Sequence, residues 1–114
     1  MEAKTLIVVN ITAEGVHQWK DCNIKEVEYL LNLHRHNFYI NVKKEVSHDD
    51  RDIEIIKFKK QIINYLHKRF WNLEMQLLDF QLLSCEQIAK IIYNKFECHS
   101  VEVLEDNENG AIVL

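Results

Sequence analysis

The stretch LHRHNFYINV, residues 33–42, decides the fold. From Phe38 onward apolar and polar side chains alternate, which is typical of a strand with one buried face. Side chains two positions apart in a strand point the same way, so His34 and His36 should project from the face that continues through Phe38 and Ile40. Such a pair has two interpretations: two partly exposed histidines, or two ligands of a metal ion.

The segments around this stretch predict an α+β fold. Residues 4–13 are rich in β-branched side chains and predict a first strand, and residues 37–46 predict a second. The aspartates of the polar turn at 47–52 are suited to capping a helix that starts at Ile53. One apolar stripe is expected on that helix, formed by Ile55, Phe58, Ile62, Leu66 and Phe70.

The second half of the chain predicts another helix and a hairpin. SCEQ at 84–87 fits a capping box at a helix start. Residues 100–114 predict two strands joined by a tight turn at Asn109-Gly110. Residues 71–83 are apolar without a clean period and remain unassigned. The expected architecture is a four-stranded antiparallel sheet with two helices on one face, forming one domain over residues 1–114.

Composition excludes several classes of protein. The chain has 114 residues, 47% hydrophobic and 28% charged, with no proline, so it should fold throughout. A formal charge of -4 produces no positive field that would attract nucleic acid or an anionic membrane. The basic cluster KFKK at 57–60 fits a solvated helix face. Three cysteines without CxxC spacing, no signal-like start and no long apolar run predict a cytoplasmic protein.

Four further residues are candidates for chemistry. His17 should end near the start of the second strand, where it would be a third imidazole ligand. Glu105 continues the face of Val101 and Val103: it either reaches water at a strand end or accepts N–H groups of a flat heterocycle. Glu86 either stabilises the positive N-terminal end of its helix or contacts a ligand. His67 is either solvent-facing or a general acid or base.

Together these segments resemble the family of 6-pyruvoyl-tetrahydropterin synthases and 6-carboxy-tetrahydropterin synthases. The resemblance follows GVHQW, HRHNFYI, DIEIIKFKKQI, SCEQIA and VEVLEDNENGAIV in order over nearly the full chain. The family's zinc-binding histidines fall on His17, His34 and His36, and its pterin-anchoring glutamate falls on Glu105. Its aspartate before the first helix falls on Glu54.

The resemblance implies a fold, a cofactor and a mode of assembly. The implied fold is the tunnelling fold (ββααββ), in which subunits pool their strands into a barrel and bind ligands between subunits. Zn²⁺ is the implied cofactor, a pterin-, purine- or nucleotide-like molecule the implied ligand, and a homo-oligomer, trimer or hexamer, the implied assembly. Ser84, Glu86 and Arg35 are expected to join Glu105 in binding the ligand.

The chain departs from the family where catalysis takes place. Positions 28–33 read EYLLNL and lack the family's catalytic cysteine, Leu66 replaces the aspartate before His67, and Arg35 replaces a glycine. If the protein is an enzyme, a carbon-oxygen lyase of this type, His67 or Cys22 would carry protons.

The alternative function is a binding protein that sequesters a small nucleotide-derived signal. The Ile-, Lys- and Asn-rich composition would then suit a phage or AT-rich bacterial source. A metal-free interaction module is a third possibility, in which the resemblance is due to chance.

Overall fold

A computed structural model describes residues 3–114, and its central feature is a long antiparallel hairpin. The hairpin consists of β1 (Leu6–His17) and β2 (His34–Glu45), whose ends meet where His17 pairs with His34. A short 3₁₀ helix, Lys25–Leu31, lies in the connection. The other elements are α1 (Ile55–Phe70), β3 (Trp71–Asn72), β4 (Leu77–Asp79), α2 (Cys85–Phe96), β5 (Ser100–Glu105) and β6 (Asn109–Val113).

The six strands form one open, mixed sheet in the order β3-β4-β1-β2-β5-β6. The α+β class and the antiparallel pairing of β1, β2, β5 and β6 are confirmed, but the expected four-stranded sheet is not what forms. The two additional strands come from the unassigned segment 71–83, and β4 runs parallel to β1. With two and three residues, these strands are too short to show a period of two.

Both long helices pack on the same face of the sheet. The strand register places Ile11 beside Ile40 and Ile40 beside Val103, and this row belongs to one core together with both helices. The expected stripe of α1 is buried from Phe58 to Phe70, whereas Ile55 is half exposed. Within residues 3–114, no helix has the length and apolar character needed to cross a membrane.

The start of α1 differs from the sequence-based expectation, whereas the start of α2 agrees with it. The carboxylate of Glu54 accepts the N–H groups of Ile56 and Lys57, both at 2.9 Å, so Glu54 and not an aspartate of 47–52 caps α1. In α2, Ser84 Oγ accepts the N–H of Gln87, and the Gln87 side chain accepts the N–H of Ser84. The predicted capping box is confirmed.

The terminal hairpin turns earlier than expected. Asp106 and Asn107 have φ of 54° and 59°, and the N–H of Glu108 donates to the carbonyl of Glu105 at 3.0 Å. Gly110 lies instead within β6, where a Cβ atom would be 1.8 Å from the carbonyl oxygen of Val103. Asp106-Asn107 and Asn109-Gly110 can both form a tight turn. The turn forms at Asp106-Asn107 because β5 approaches Gly110 so closely that this residue belongs to the strand.

Candidate metal centre

One end of the helix-covered face carries three histidines and a glutamate. His17 lies directly opposite His34, and Glu105 lies opposite Phe38, two positions beyond His36 on β2. Alternation along each strand therefore turns all four polar side chains to the face of the core. One donor atom from each of His17, His34, His36 and Glu105 lies within 4.8 Å of the others, and this group is called the His/Glu cluster below.

The three imidazole rings are oriented by the contacts of their Nδ1 atoms. Each Nδ1 lies against an oxygen that accepts hydrogen bonds, so each ring donates through Nδ1 and turns its Nε2 toward the cluster. The distances are 2.8 Å from His17 to the Leu83 carbonyl, 2.8 Å from His34 to the Asn32 carbonyl, and 2.7 Å from His36 to Asp106 Oδ2.

The three Nε2 atoms are buried and make no hydrogen bond of good geometry. A buried nitrogen without a partner is costly, and three of them at one point have a common explanation. Metal-binding histidines are held in this way: one ring nitrogen donates to a carbonyl or carboxylate while the other faces the ion. The arrangement is therefore suited to a cation.

Glu105 supplies the negative charge of the cluster. Its Oε2 is 2.9 Å from His17 Nε2, and its Oε1 is 3.6 Å from His36 Nε2. The contact with His17 lowers the pKa of Glu105 although burial opposes this. Burial lowers the pKa of His17, but Glu105 and the Leu83 carbonyl outweigh it and leave the pKa raised. Burial also lowers the pKa of His34.

A cavity of about 650 Å³ adjoins the His/Glu cluster. Its wall includes His17, His34 and Glu105, together with Ser84 and Glu86 from the start of α2. Sites for small molecules usually measure about 300–1,000 Å³, so the space is of suitable size. The structure thus brings together three of the four residues predicted to bind the ligand.

The remaining predicted residues lie elsewhere. Arg35 is between the two histidines on β2 but points to the other face, where it forms an ion pair with Glu14. The buried thiol of Cys22 faces the carbonyls of Ile24 and Val27, at 3.8 and 3.7 Å, and is not part of the cavity wall.

His67 is also separated from the cluster. Its ring stacks on Trp71 with centroids 4.8 Å apart, and it lines a different cavity, between α1 and the β3–β4 end of the sheet. None of the three clustered histidines lines that second cavity.

Two residues of the site were not anticipated from the sequence. Asp106 contacts His36 and also accepts the N–H of Asn37 at 3.0 Å, and these contacts lower its pKa. Cys85 lies in the cavity wall with Sγ 3.6 Å from Glu105 Oε2, and burial together with Glu105 raises its pKa to about 12. Only the hairpin register brings Asp106 to His36, and only the packing of α2 brings Cys85 to Glu105.

The fold and the cluster define an α+β protein with a candidate metal centre of three histidines and one carboxylate at the edge of a cavity. No family model matches the chain, and no curated protein matches it either.

Proposed function

We propose that the protein binds Zn²⁺ through His17, His34 and His36 and takes a pterin-, purine- or nucleotide-like ligand in the adjoining cavity, as a divergent tunnelling-fold protein. The observation that carries the proposal is the convergence of three buried Nε2 atoms that make no hydrogen bond of good geometry within residues 3–114 and share the carboxylate of Glu105, which lies 2.9 Å from the Nε2 of His17. Each ring donates through Nδ1, so its Nε2 is directed to bind a metal ion once that nitrogen carries no proton.

The donor set favours zinc over the hard cations. Mg²⁺ and Ca²⁺ prefer oxygen ligands, whereas imidazole suits zinc and other transition metals. Zinc bonds of about 2.0–2.2 Å require donors about 3.3–3.6 Å apart in a tetrahedron, so the histidine nitrogens, which lie within 4.8 Å of one another, would draw together around the ion and leave its fourth position to the ligand. Zinc would supply a Lewis acid that polarises a bound oxygen.

Glu105 would anchor the heterocycle. Its carboxylate borders both the cluster and the cavity and is 28% exposed, so it can accept N–H groups from a ring. Ser84 and Glu86 lie on the same wall. A ligand in the cavity would therefore contact polar groups of β5 and α2 at once.

Binding without turnover is the alternative function, and one observation favours it. Cys22 and His67, the two candidate proton carriers, both lie outside the cavity wall. Loss of an acid or nucleophile typically costs several orders of magnitude in rate. A protein that sequesters a small nucleotide-derived molecule needs only the pocket.

Metal analysis of the purified protein tests the zinc site. Wild type should carry one zinc per chain, and His34→Ala should lose most of it because one of three imidazole ligands is removed. His48→Ala is the matched control, since His48 is exposed and lies outside the cluster. Wild-type protein that takes up no zinc would rule out the proposal.

Incubation of zinc-loaded protein with dihydroneopterin triphosphate, the substrate that the resemblance implies, and separately with neopterin and guanosine, followed by native mass spectrometry, separates the two functions. Conversion of the triphosphate would support the lyase. Recovery of unaltered ligand from the complex would support sequestration, and the absence of any bound pterin or purine would contradict both.

A further inference from the structure

The cavity beside the His/Glu cluster has an uneven distribution of charge. Three carboxylates, those of Asp21, Glu86 and Glu105, line it. Among the described residues that form its wall there is no lysine or arginine. Phosphate groups in proteins are normally held by such cations or by free backbone N–H groups.

The start of α2 has fewer N–H groups free for a phosphate than an uncapped helix would have. The N–H groups of Ser84 and Gln87 are already used within the capping box. Glu86, in the first turn, adds a negative charge where an anion would approach the helix. A divalent ion at the His/Glu cluster would add two positive charges, which is less than the three negative charges of the carboxylates.

Part of the cavity wall is apolar. It includes Trp19, Leu30 and Leu82, and the residues Trp19 and Leu82 are about half exposed, at 43% and 55%. The N–H of Trp19 donates to the carbonyl of Leu30 at 2.7 Å. This hydrogen bond holds together the two ends of the connection between β1 and β2. Flat rings, and cationic rings in particular, bind well against an indole face.

The acidic residues are not the only sign of a binding site. The side chain of His17 is nine-tenths buried, and its Nε2 lies in the cavity wall 2.9 Å from Glu105 Oε2, where a metal ion bound to the cluster would take up this nitrogen. Carboxylates, the indole of Trp19 and the metal-ligand candidate His17 therefore line one space. Their common complement is a ring that carries N–H donors.

We propose that the cavity selects phosphate-free, neutral or cationic amino-heterocycles and discriminates against the phosphorylated forms of the same ring. The inference rests on the proposed function, because it assumes that a heterocycle binds beside the cluster. It narrows the ligand from nucleotides to bases, nucleosides or pterins without phosphate.

Fluorescence titration of the zinc-loaded full chain tests the selection. The chain has two tryptophans, and Trp71 lies in the separate cavity beside His67, so Trp71→Phe leaves Trp19 as the reporter. The probes are guanosine, GMP and GDP, and neopterin with its monophosphate, at low salt. Each added phosphate should weaken binding about fivefold, and salt should reduce this penalty.

Charge removal identifies the cause of the discrimination. In the double variant Asp21→Asn/Glu86→Gln, the ratio of the GMP and guanosine dissociation constants should fall toward one. The matched control Asp50→Asn/Glu74→Gln removes the same charge at exposed positions outside the cavity and should keep the wild-type ratio.

The outcomes separate the two proposals. If GMP binds as tightly as guanosine or more tightly, or if the double variant leaves the ratio unchanged, the phosphate discrimination is overturned while heterocycle binding stands. If none of the probes binds to zinc-loaded protein, heterocycle binding is overturned and the discrimination falls with it.

Discussion

At the scale of single residues, the direction of each imidazole lone pair depends on what the opposite ring nitrogen contacts. The partners of His17 and His34 are backbone carbonyls, whereas the partner of His36 is the carboxylate of Asp106. A carboxylate partner both fixes the ring and increases the donor strength of the nitrogen that faces the metal. Asp106 is itself held by the N–H of Asn37.

We predict that Asp106→Asn weakens zinc binding about 10-fold to 100-fold. Asparagine keeps the size of the side chain but loses its charge, so His36 is oriented less strictly. Competition titration with a zinc chelator measures the effect, and Glu108→Gln removes a nearby exposed charge as the control. Equal zinc affinity in wild type and Asp106→Asn would show that Asp106 does not support the site.

At the scale of elements, α2 brings its first turn to the cavity. Ser84 caps the helix and also lines the cavity, and Cys85 follows it into the wall beside Glu105. The capping box thus determines where the helix begins and which side chains reach the site. A helix that frayed here would disturb the cavity wall.

We predict that Ser84→Ala lowers the free energy of unfolding by about 1 kcal/mol, because the N–H of Gln87 loses its acceptor. Ser84→Asn, which restores a capping oxygen, should lose much less. Urea denaturation followed by circular dichroism measures both variants. If Ser84→Ala and Ser84→Asn lost the same free energy of unfolding, the cause would be the contacts of Ser84 in the cavity wall and not the capping oxygen.

The start of α1 predicts a dependence of stability on pH. Hydrogen bonds from the N–H groups of Ile56 and Lys57 lower the pKa of Glu54 in the folded protein. A lowered folded-state pKa gives stability that is present above the unfolded-state value and is lost as pH falls toward the folded-state value. The cap should therefore weaken in acid.

Glu54→Gln should be less stable than wild type near neutral pH, and the difference should shrink as pH falls from about 6 to about 3. Urea unfolding of both proteins across this range measures it. A difference that stays constant with pH would mean that the charge of Glu54 does not contribute to the cap.

At the scale of the whole molecule, one face of the sheet has no layer over it within residues 3–114. The chain measures 51 × 33 × 20 Å, and both long helices lie on the other face. Val8, Tyr39 and Ile112 are substantially exposed on this uncovered side, and β6 is an edge strand. Exposed apolar side chains beside an open edge favour association with further copies.

We predict a homo-oligomer, a trimer or hexamer, in native mass spectrometry of the wild type. Ile112→Lys, on the uncovered face of β6, should shift the population toward monomer because a charge would be buried between copies. Leu73→Lys, in the exposed connection between β3 and β4, should leave the assembly intact. A monomeric wild type would contradict the prediction.

The order of elements could be predicted because each long element carries its own periodic pattern. The alternation from Phe38 to Val42 and the SCEQ cap of α2 both appear in the structure where the sequence places them. Antiparallel pairing also places the end of the first strand beside the start of the second, so His17 lies near His34. These features depend on neighbours along the chain, which a sequence displays directly.

The sequence by itself determined the α+β class, the face shared by His34 and His36, and the capping of α2. Only the tertiary structure decided that 71–83 adds two strands, that Glu54 caps α1, that the last hairpin turns at Asp106-Asn107, and that Asp106 and Cys85 border the site. The physical reason is that these depend on pairing, close approach and packing between segments far apart in the chain, where several local choices are nearly equal in energy and tertiary contacts select one.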